Sequence, residues 1–587
     1  MAVQASVDSP FRCVLISDFT ISGLVPFLSS PSDPPPLTCE VAPFDQVVPS
    51  LIDERAAHWS HAPDLAVVWT RPQAAIEGFG RLLENEQVSL ADILDQVDAF
   101  LECLRAAAGR TTTLLVPTWT TPAYDRTVGF LAAHPETGPA YVLMRMNARL
   151  AEGVASFGNA YTLDAARWVG MAGASATNPK LWHLGKIAFG PEVFRLAAAD
   201  VKAGIRGLRG QARKLIVLDL DDTLWGGIVG DVGWEQLALG GHDPAGEAYA
   251  AFQRALKALT RRGIVLGIVS KNTESIALEA IDRHPEMILR RNDFVGWRIN
   301  WDDKARNLAE LADELNLGLQ SVVFLDDNPA ERARVREALP EVLVPEWPAD
   351  ALLYEKALKE LTCFDTAVVS TEDRARTAMY VADRQRTELK GLAQSVDEYL
   401  TSLQLEITCD RLGPADLQRA AQLLNKTNQM NLATRRLTEP EFQRWAEAPG
   451  HHVFVFRVED RFGDHGLTGL ASVAVSGAAA EVSDFVISCR VLGRGVEETM
   501  LHCLADCARE QGCQRLEAVY RRTAKNSPCL EFFRAKSRFA STHEEGPFTW
   551  PLEEPYAAPG HVAIRRSGGT VRQSGDATSV APEIRSR

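Results

Sequence analysis

The stretch KLIVLDLDDTLWGG, residues 214–227, joins a buried strand to a cluster of acids, and it decides the fold of the middle of the chain. Its four apolar residues, Leu215–Leu218, predict a strand that is covered on both faces. Asp219, Asp221 and Asp222 follow within four residues, and carboxylates this close together repel one another. Such a cluster at the end of a buried strand indicates a site for a positively charged group.

The composition sets the class of protein and excludes some partners. The chain has 587 residues, too many for a single hydrophobic core, so we expect about three domains. Its net charge of -15 argues against nucleic acid and membrane surfaces as partners. Ten cysteines without a CxxC pair, no signal-peptide pattern in residues 1–13 and no apolar run of membrane length predict a cytoplasmic protein.

Alternating strand-like and helix-like segments predict a multidomain α/β protein. The expected segments are an α/β domain at 1–210, a second α/β domain at 211–360, a helical connector at 361–402, an α+β domain at 403–555 and a disordered tail at 556–587. The tail is assigned on its content of Gly, Ser and Arg.

Three further segments of the second α/β domain place polar residues at strand ends or at a helix start. Because ligands of open α/β sheets bind beyond the carboxyl ends of the strands, we expect these residues to converge on the acid cluster. They are Ser270, Lys271 and Asn272 after GIVLGIV, Lys304 in INWDDKARN, and Asp326 and Asp327 in SVVFLDDNPAER.

The convergent set suits phosphoryl transfer. Mg²⁺ bound by carboxylate oxygens offsets the charge of a phosphate ester and of the crowded acids. Asp219 is the candidate nucleophile that forms an aspartyl-phosphate, and Asp221 is the candidate acid and base. Ser270 and Lys304 are candidates to hold the phosphoryl oxygens. For any one segment, an ordinary strand end with a polar cap is the simpler interpretation, whereas the set as a whole favours catalysis.

In the same order, the four segments resemble the four motifs of the haloacid dehalogenase (HAD) superfamily. Asp219-x-Asp221-x-Thr223 resembles the first motif, Ser270 the second, Lys304 the third and Asp326-Asp327 the fourth. The resemblance implies a HAD-like Rossmannoid parallel sheet with a minimal cap, since the gaps between the motifs are short. It implies a magnesium site of Asp219, Asp326, Asp327 and the backbone carbonyl of Asp221, and substrate contacts from Thr223, Lys271 and Asn272.

The sequences of these motifs look like those of the FkbH-like branch of the superfamily. They read DLDDTLWGGIVGD, SKN, INWDDKARN and FLDDNPAERARVREALP. Those proteins take a glyceryl unit from 1,3-bisphosphoglycerate, remove its phosphate and load it on an acyl carrier protein for polyketide assembly. The resemblance, over residues 214–539, implies a bifunctional glyceryl transferase and phosphatase. Two alternatives stay open: a magnesium-dependent HAD phosphatase of a metabolite phosphate with appended binding domains, and an inactive scaffold, against which the intact Asp219, Asp221 and Lys304 count.

The segment VISCRVLGRGVEETM, residues 486–500, predicts a strand, a glycine-rich loop and a helix. Arg490-x-x-Gly493-x-Gly495 resembles the pyrophosphate loop of GNAT acyltransferases, in which glycines let backbone N–H groups approach an anion. This implies a GNAT-like α+β domain that binds a phosphopantetheine arm. Cys489 is a candidate nucleophile activated by Arg490 and the helix N-terminus. The alternative, a buried cysteine that only packs in the core, is about equally favoured.

Two weaker candidates lie in the same domain. The segment FRVEDRFGDHGLTG places His465 in a turn, where it is a candidate general base, although a solvated turn histidine is slightly favoured. The segment LLNKTNQMNLATRR contains Asn428, and FkbH-like proteins carry a similar run. This residue is a candidate for binding substrate hydroxyls, with a helix-capping turn as the alternative.

The N-terminal segment VLISDFTISGL resembles the first motif of SGNH hydrolases, where Gly-Asp-Ser would stand. Here the residues are Ser17, Asp18 and Phe19, so a phenylalanine replaces the nucleophilic serine. The segment NPKLWHLG offers His183, but Lys180 stands where the usual aspartate would be. The sequence therefore predicts a degenerate SGNH-like fold without hydrolase activity, serving as a docking platform or a structural support.

Overall fold

The computed structural model describes residues 11–122, 124, 128–135, 137–241, 243–366, 369, 371–427, 430–437, 439–523, 525–543 and 545–566. Internal contacts divide the chain into two units. The first comprises 1–264, 269–289 and 298–373, and the second comprises 265–268, 290–297 and 374–587. No helix in the described residues is long and apolar enough to cross a membrane.

A five-stranded parallel sheet forms the N-terminal domain. Its spatial order is β2-β1-β3-β4-β5, for β1 Phe11–Ser17, β2 Leu37–Val41, β3 Leu65–Trp69, β4 Thr113–Pro117 and β5 Ala160–Leu163. Every residue of β3 is buried, as expected for a strand covered on both faces. The helices are Val25–Leu28, Val47–Ile52, Pro72–Ala75, Glu77–Leu83, Leu90–Ala108, Pro139–Ala155, Ala165–Ala172, Pro179–Gly185 and Pro191–Leu208.

The last helix of this domain contacts the segment that follows the middle domain, and both lie in the first unit. Arg206 Nη2 donates to Thr362 Oγ1 at 3.3 Å. A Cβ at Gly207 would lie 2.5 Å from the carbonyl oxygen of Asp365, so only glycine fits here without a shift of backbone. The two backbones therefore meet directly at this position.

The middle domain is built on a four-stranded sheet of order β8-β7-β6-β9. The strands are β6 Leu215–Leu218, β7 Val265–Ser270, β8 Phe294–Ile299 and β9 Val322–Leu325, and β6 runs parallel to β9. All four residues of β6 are buried, as its apolar run predicts. The helices are Val229–Val232, Pro244–Thr260, Glu274–Arg283, Lys304–Glu314, Pro329–Ala338 and Tyr354–Lys359.

The C-terminal domain is a nine-stranded sheet of order β16-β17-β15-β14-β13-β12-β10-β18, with β11 beside the end of β14. Its strands are β10 Leu405–Arg411, β11 Met430–Asn431, β12 His451–Asp460, β13 Gly463–Ser476, β14 Ala479–Ile487, β15 Arg515–Ala518, β16 Ala540–Ser541, β17 Phe548–Pro551 and β18 Val562–Arg565. The helices from the connector onward are Thr371–Leu392, Val396–Ser402, Leu417–Lys426, Glu439–Ala446, Val496–Glu510 and Ser527–Ala535.

Two parallel strands of this sheet separate along their length. Residues 479–482 of β14 pair with β15, whereas the end of β14 pairs with β11 instead. Strands β14 and β15 therefore separate at the end that leads into the glycine-rich loop, where β11 takes the place of β15 beside β14. This order of strands around a mixed sheet, with a helix directly after the loop, is the GNAT-like α+β arrangement.

The prediction of a disordered tail from residue 556 is wrong for its first part. Tyr556 is buried, and its hydroxyl donates to the carbonyl oxygen of Ser537 at 2.9 Å. Strand β18 pairs in parallel with β10, so a partner about 150 residues earlier orders it. The remainder of the predicted tail, residues 567–587, lies outside the described residues.

Candidate functional site

The acids of the middle domain meet at one edge of the sheet. Asp219 follows β6 and Asp326 follows β9, and the two strands are parallel neighbours. Lys304 is the first residue of its helix, which Asp303 caps by accepting from the backbone N–H of Arg306. The Nζ atom of Lys304 lies 2.9 Å from Asp219 Oδ2 and 2.6 Å from Asp326 Oδ2. The structure therefore brings the predicted nucleophile, the predicted cation and a predicted metal ligand together.

Charge in this group is unbalanced in favour of the acids. Burial alone would lower the pKa of Lys304, but Asp219 and Asp326 outweigh it and raise that pKa, so the ammonium group is charged. Burial, then the charge of Asp219, raises the pKa of Asp326 to about 6. The same two causes raise the pKa of Asp327. The ammonium group of Lys304 thus contacts two carboxyl groups, and the third, that of Asp327, lies close to them.

These residues fit a magnesium ion. Asp219, Asp326 and Asp327 each offer an oxygen, and these oxygens lie within 4.8 Å of one another. Asp219 Oδ1 is buried and has no hydrogen-bond partner among the described residues. An orphaned carboxylate oxygen beside two further acids is the oxygen donor set that Mg²⁺ prefers. The side chain of Asp221 is not part of this group.

Asp221 is instead held by three N–H donors. Its Oδ1 accepts from Trp225 Nε1 at 2.9 Å and from the backbone N–H of Val229 at 3.1 Å, and its Oδ2 accepts from Asn272 Nδ2 at 2.8 Å. Burial raises the pKa of Asp221 above its ordinary value. Asn272, which the sequence predicts to bind substrate, thus contacts the predicted acid and base and fixes its position.

The remaining predicted residues of this domain have different surroundings. Thr223 Oγ1 accepts from the backbone N–H of Asp327 and donates to its Oδ1, both at 3.1 Å. Ser270 is buried as the last residue of β7. Lys271 Nζ lies 2.7 Å from Glu331 Oε1, and its side chain is partly exposed. Thr223 therefore positions Asp327, and the ammonium group of Lys271 is engaged by a glutamate.

Two residues at this site escape sequence reasoning. Trp225 donates to Asp221, as described above. Arg332 Nη1 donates to the carbonyl oxygens of Asp326 and Asp327, at 2.8 and 2.6 Å. Trp225 lies four residues after Asp221 and Arg332 six after Asp326, so proximity to the motifs is the signal that could have identified them.

The described residues between the motifs form no separate cap domain. Helices Val229–Val232 and Pro244–Thr260 lie between the first and second motifs, and Glu274–Arg283 and strand β8 lie between the second and third. The minimal cap expected from the sequence is therefore observed.

The glycine-rich loop of the C-terminal domain has the predicted order of elements. Strand β14 ends at Ile487, a short 3₁₀ turn spans Cys489–Val491, and a helix begins at Val496. Gly493 and Gly495 have φ angles of 71° and 88°, in the left-handed region that favours glycine. The Cys489 side chain and the whole of Asn428 lie outside the described residues.

A glutamate from the following helix occupies part of this loop. Glu497 Oε1 accepts from the backbone N–H of Gly493 at 2.7 Å, and the residue is 6% exposed. Its Oε2 is buried and has no hydrogen-bond partner in the described part of the chain. Burial raises the pKa of Glu497. A backbone donor that the resemblance assigns to an anionic ligand is thus used by the protein itself.

The predictions of a turn position and a solvated side chain for His465 are both wrong. His465 lies in β13, because the pairing of β12 with β13 continues to Asp460 and Gly463. Its side chain is 7% exposed, and its Nε2 lies 3.4 Å from both Asp460 Oδ2 and Arg494 Nη1. Arg386 donates to both oxygens of Asp460, at 2.7 and 2.8 Å. His465 therefore belongs to a buried charged cluster.

The backbone leading to Cys489 leaves the sheet next to β13, the strand that carries His465. The backbone N–H of Ser488 donates to the carbonyl oxygen of Thr468 at 2.8 Å, three residues after His465 in β13. Arg490 is exposed, and its Nη1 lies 3.7 Å from the sulfur of Met379. The predicted thiol and the predicted base are thus carried by neighbouring strand ends.

The N-terminal domain retains the position of the SGNH motif without its nucleophile. Phe19 is 1% exposed and packs edge-on against Trp69 and Phe189, with ring centroids 5.6 and 5.4 Å apart. His183 lies in the short helix Pro179–Gly185. The aromatic contacts explain why a phenylalanine is stable here.

Comparison with solved structures supports the fold. The chain is similar to the N-terminal part of a Bacteroides fragilis protein that contains a phosphatase domain, solved in complex with Mg. The identity is 28%, the TM-score is 0.56, and the match covers 62% of this chain and 96% of that one. The sequence matches no protein-family model and no curated protein.

Smaller matches are found to acetyltransferases. A ribosomal-protein alanine N-acetyltransferase from Escherichia coli matches at 14% identity and a TM-score of 0.19, covering 25% of this chain and 94% of that one. A spermidine N-acetyltransferase variant from Vibrio cholerae matches at 17% identity and a TM-score of 0.20, with the same coverages. TM-scores this low do not establish a shared fold. The C-terminal domain is therefore identified as GNAT-like by its strand order. The chain is a multidomain α/β protein with a HAD-like domain and a GNAT-like domain.

Proposed function

We propose that this chain is a bifunctional glyceryl transferase and phosphatase. It takes a phosphoglyceryl unit from 1,3-bisphosphoglycerate, passes it to the phosphopantetheine thiol of an acyl carrier protein, and removes the remaining phosphate. The observation that carries the phosphatase half is the buried group of Asp219, Lys304 and Asp326, with Asp219 Oδ1 unpartnered among the described residues. The transfer of the glyceryl unit to a carrier protein is supported by the resemblance of the motif sequences to the FkbH-like branch.

Removal of the phosphate proceeds in two displacements at phosphorus. A carboxylate oxygen of Asp219 forms a bond to phosphorus while the bond to the substrate oxygen breaks, and Asp221 gives that oxygen a proton. Water then loses a proton to Asp221 and attacks the aspartyl-phosphate, which frees Asp219 and inorganic phosphate. Asn272 and Trp225 hold the carboxyl group of Asp221 in place for both transfers.

Two cations would balance the charge of this site. Lys304 neutralises part of the negative charge that converges on Asp219 and Asp326. Asp219, Asp326 and Asp327, with the backbone carbonyl of Asp221 that the resemblance implies, would hold Mg²⁺. When bound, this ion supplies positive charge to the phosphoryl oxygens.

The transfer half uses the acyl phosphate as a donor to a thiol. A thiolate attacks the carbonyl carbon, the bond from that carbon to the phosphate oxygen breaks, and inorganic phosphate leaves. Cys489 is the proposed first acceptor, from which the carrier thiol then takes the acyl group. His465, oriented by Asp460, is the proposed base for these thiols.

The Glu497 contact favours a carrier-borne arm over coenzyme A. Coenzyme A carries a diphosphate, and a diphosphate at this loop would lose the Gly493 donor and meet a buried carboxyl group. The arm of a carrier protein has a single phosphodiester and places less charge at the loop. Carrier protein is therefore the proposed acceptor.

Intact-protein mass spectrometry of a carrier protein tests the proposal. Holo carrier, incubated with the enzyme, Mg²⁺ and 1,3-bisphosphoglycerate, is expected to gain a glyceryl unit, whereas apo carrier, which lacks the thiol, stays unmodified. An unmodified holo carrier, together with release of phosphate from small phosphate esters, would support the alternative of a metabolite phosphatase and overturn the carrier half.

A further inference from the structure

A cavity in the N-terminal domain has no role in the function proposed above. It measures about 180 Å³ and is lined by Arg71 and Gln73, which follow β3, and by Trp182 and Phe189. Strands β1 and β3 are neighbours, and the chain leaves them toward opposite edges of the sheet, to β2 and to β4. The crevice beyond such a pair of strands is where open parallel sheets bind ligands.

One cation of the cavity is fixed in place. The backbone N–H and the Nε of Arg71 donate to the two carboxylate oxygens of Asp18, at 2.7 and 2.6 Å, across the gap between the ends of β1 and β3. The guanidinium carbon lies 3.8 Å from the ring centroid of Trp182. The side-chain contact to Asp18 uses the Nε edge of the guanidinium group, and the contact to Trp182 uses one of its faces. Its Nη1 and Nη2 atoms make no hydrogen bond to the described residues, so a rigid planar fork is left for an acceptor.

Gln73, which lines the same cavity, carries an unpartnered acceptor. Gln73 Oε1 is buried and has no hydrogen-bond partner in the ranges that the structure describes. A buried amide oxygen without a donor is costly, and a ligand hydroxyl or N–H group would remove that cost. The cavity therefore offers a fork of donors and a separate acceptor.

Charge and size select the ligand. Asp18 already balances the charge of Arg71, so a dianionic phosphate would meet a net neutral pair and the repulsion of a nearby carboxylate. A planar carboxylate matches the fork with a single negative charge. The cavity is smaller than the about 300–1,000 Å³ of sites for drug-sized ligands. Phe19 stands in place of a nucleophile, so the site suits binding without hydrolysis.

We propose that this cavity binds a small hydroxycarboxylic acid. Its carboxylate accepts from the Nη atoms of Arg71, and its hydroxyl donates to Gln73 Oε1. The inference does not depend on the proposed transferase and phosphatase activity, because every residue that it uses lies in the N-terminal domain.

Calorimetric titration of the full chain with lactate tests this assignment, with propionate as the matched probe that lacks the hydroxyl. Lactate is expected to bind one-to-one and about tenfold more tightly than propionate. Gln73→Met should abolish this difference by weakening lactate about tenfold while leaving propionate unchanged. Arg71→Lys keeps the charge but not the fork, and should weaken both acids at least about tenfold.

Two controls separate loss of the site from general effects of substitution. Arg81→Met removes an exposed arginine of the same domain and should change neither affinity. Thermal unfolding checks that each variant folds, and if Arg71→Lys does not, the Gln73→Met comparison decides alone. The proposal is overturned if wild type binds no lactate at millimolar concentration, if inorganic phosphate displaces lactate at equal concentration, or if Gln73→Met weakens both acids equally.

Discussion

Lys304 and Asp219 form a buried ion pair, with 2.9 Å between Nζ and Oδ2 and no more than a tenth of either side chain exposed. The same ammonium group also contacts Asp326, so the cation holds two strand-end carboxylates together. Removing one partner of a buried charge group leaves the others uncompensated. Stability and the proposed catalysis at this site therefore depend on the same residue.

Lys304→Met is expected to lower the free energy of unfolding by about 3–5 kcal/mol and to abolish phosphate release, because two buried carboxylates lose their cation. Denaturant-induced unfolding of the purified chain measures the first effect. Lys359→Met, in an exposed pair with Glu355, is the matched control and should change stability by less than about 1 kcal/mol. An unchanged midpoint for Lys304→Met would contradict the buried pair.

Phosphate release is expected to require Mg²⁺ and to be poorly supported by Ca²⁺. Three acids within 4.8 Å suit the short octahedral bonds of magnesium, whereas the longer bonds of calcium would displace the phosphorus from in-line attack. Calorimetry gives a readout independent of activity: Asp327→Asn should weaken Mg²⁺ binding at least about tenfold, and Asp222→Asn should not. Full activity in excess EDTA would rule out a metal site.

Asp219→Asn keeps the shape of the side chain but removes the nucleophile. Phosphate release from a phosphoglyceryl thioester is expected to fall by several orders of magnitude, while loading of the carrier protein persists. Asp222→Asn carries the same change three residues away, where the exposed side chain accepts from the backbone N–H of Gly227. Release at the wild-type rate by Asp219→Asn would remove the case for an aspartyl-phosphate.

Glu497→Ala frees the backbone N–H of Gly493 and removes a buried carboxyl group from the loop. Coenzyme A is therefore expected to bind this variant about tenfold more tightly than wild type in an equilibrium titration. Glu498→Ala, one residue further along the same helix turn, is the control and should leave the affinity unchanged. Equal affinity of wild type and Glu497→Ala would show that this glutamate does not select against diphosphates.

Cys489 is expected to carry the acyl group between donor and carrier. Incubation with 1,3-bisphosphoglycerate alone should leave a phosphoglyceryl or glyceryl adduct on the peptide that contains Cys489. Cys489→Ala should show no adduct and fail to load the carrier, yet still dephosphorylate a preloaded phosphoglyceryl carrier. Loading at the wild-type rate by this variant would establish direct attack by the carrier thiol.

Sequence reasoning located the acid cluster at the edge of the middle domain's sheet because short apolar runs and the acids after them are local features. The run Leu215–Leu218 is fully buried, and Asp219 and Asp326 meet because parallel neighbours end at the same edge. The fold class follows from the same alternation of strands and helices, and the strand order of all three sheets agrees with it.

The wrong predictions for His465 and for residues 556–566 concern contacts that distant strand pairing sets. His465 was expected in a turn because two glycines flank it, but the hairpin with β12 extends the strand to Gly463 and buries the side chain. In the sequence, Glu497 is an ordinary acid in the first turn of a helix, where it suits the helix dipole. Only the left-handed conformation of Gly493 and Gly495 brings a backbone N–H to it.

The contact at Gly207 constrains how this chain can be recombined with its relatives. Since a Cβ at this position would lie 2.5 Å from the carbonyl oxygen of Asp365, the helix that ends the N-terminal domain and the segment after the middle domain meet backbone to backbone, at a seam that the side chains of Arg206 and Thr362 also cross. A hybrid that joins residues 1–210 of one protein to the rest of another must match both sides of that seam. The first two domains are therefore best exchanged together, with the crossover placed after residue 366.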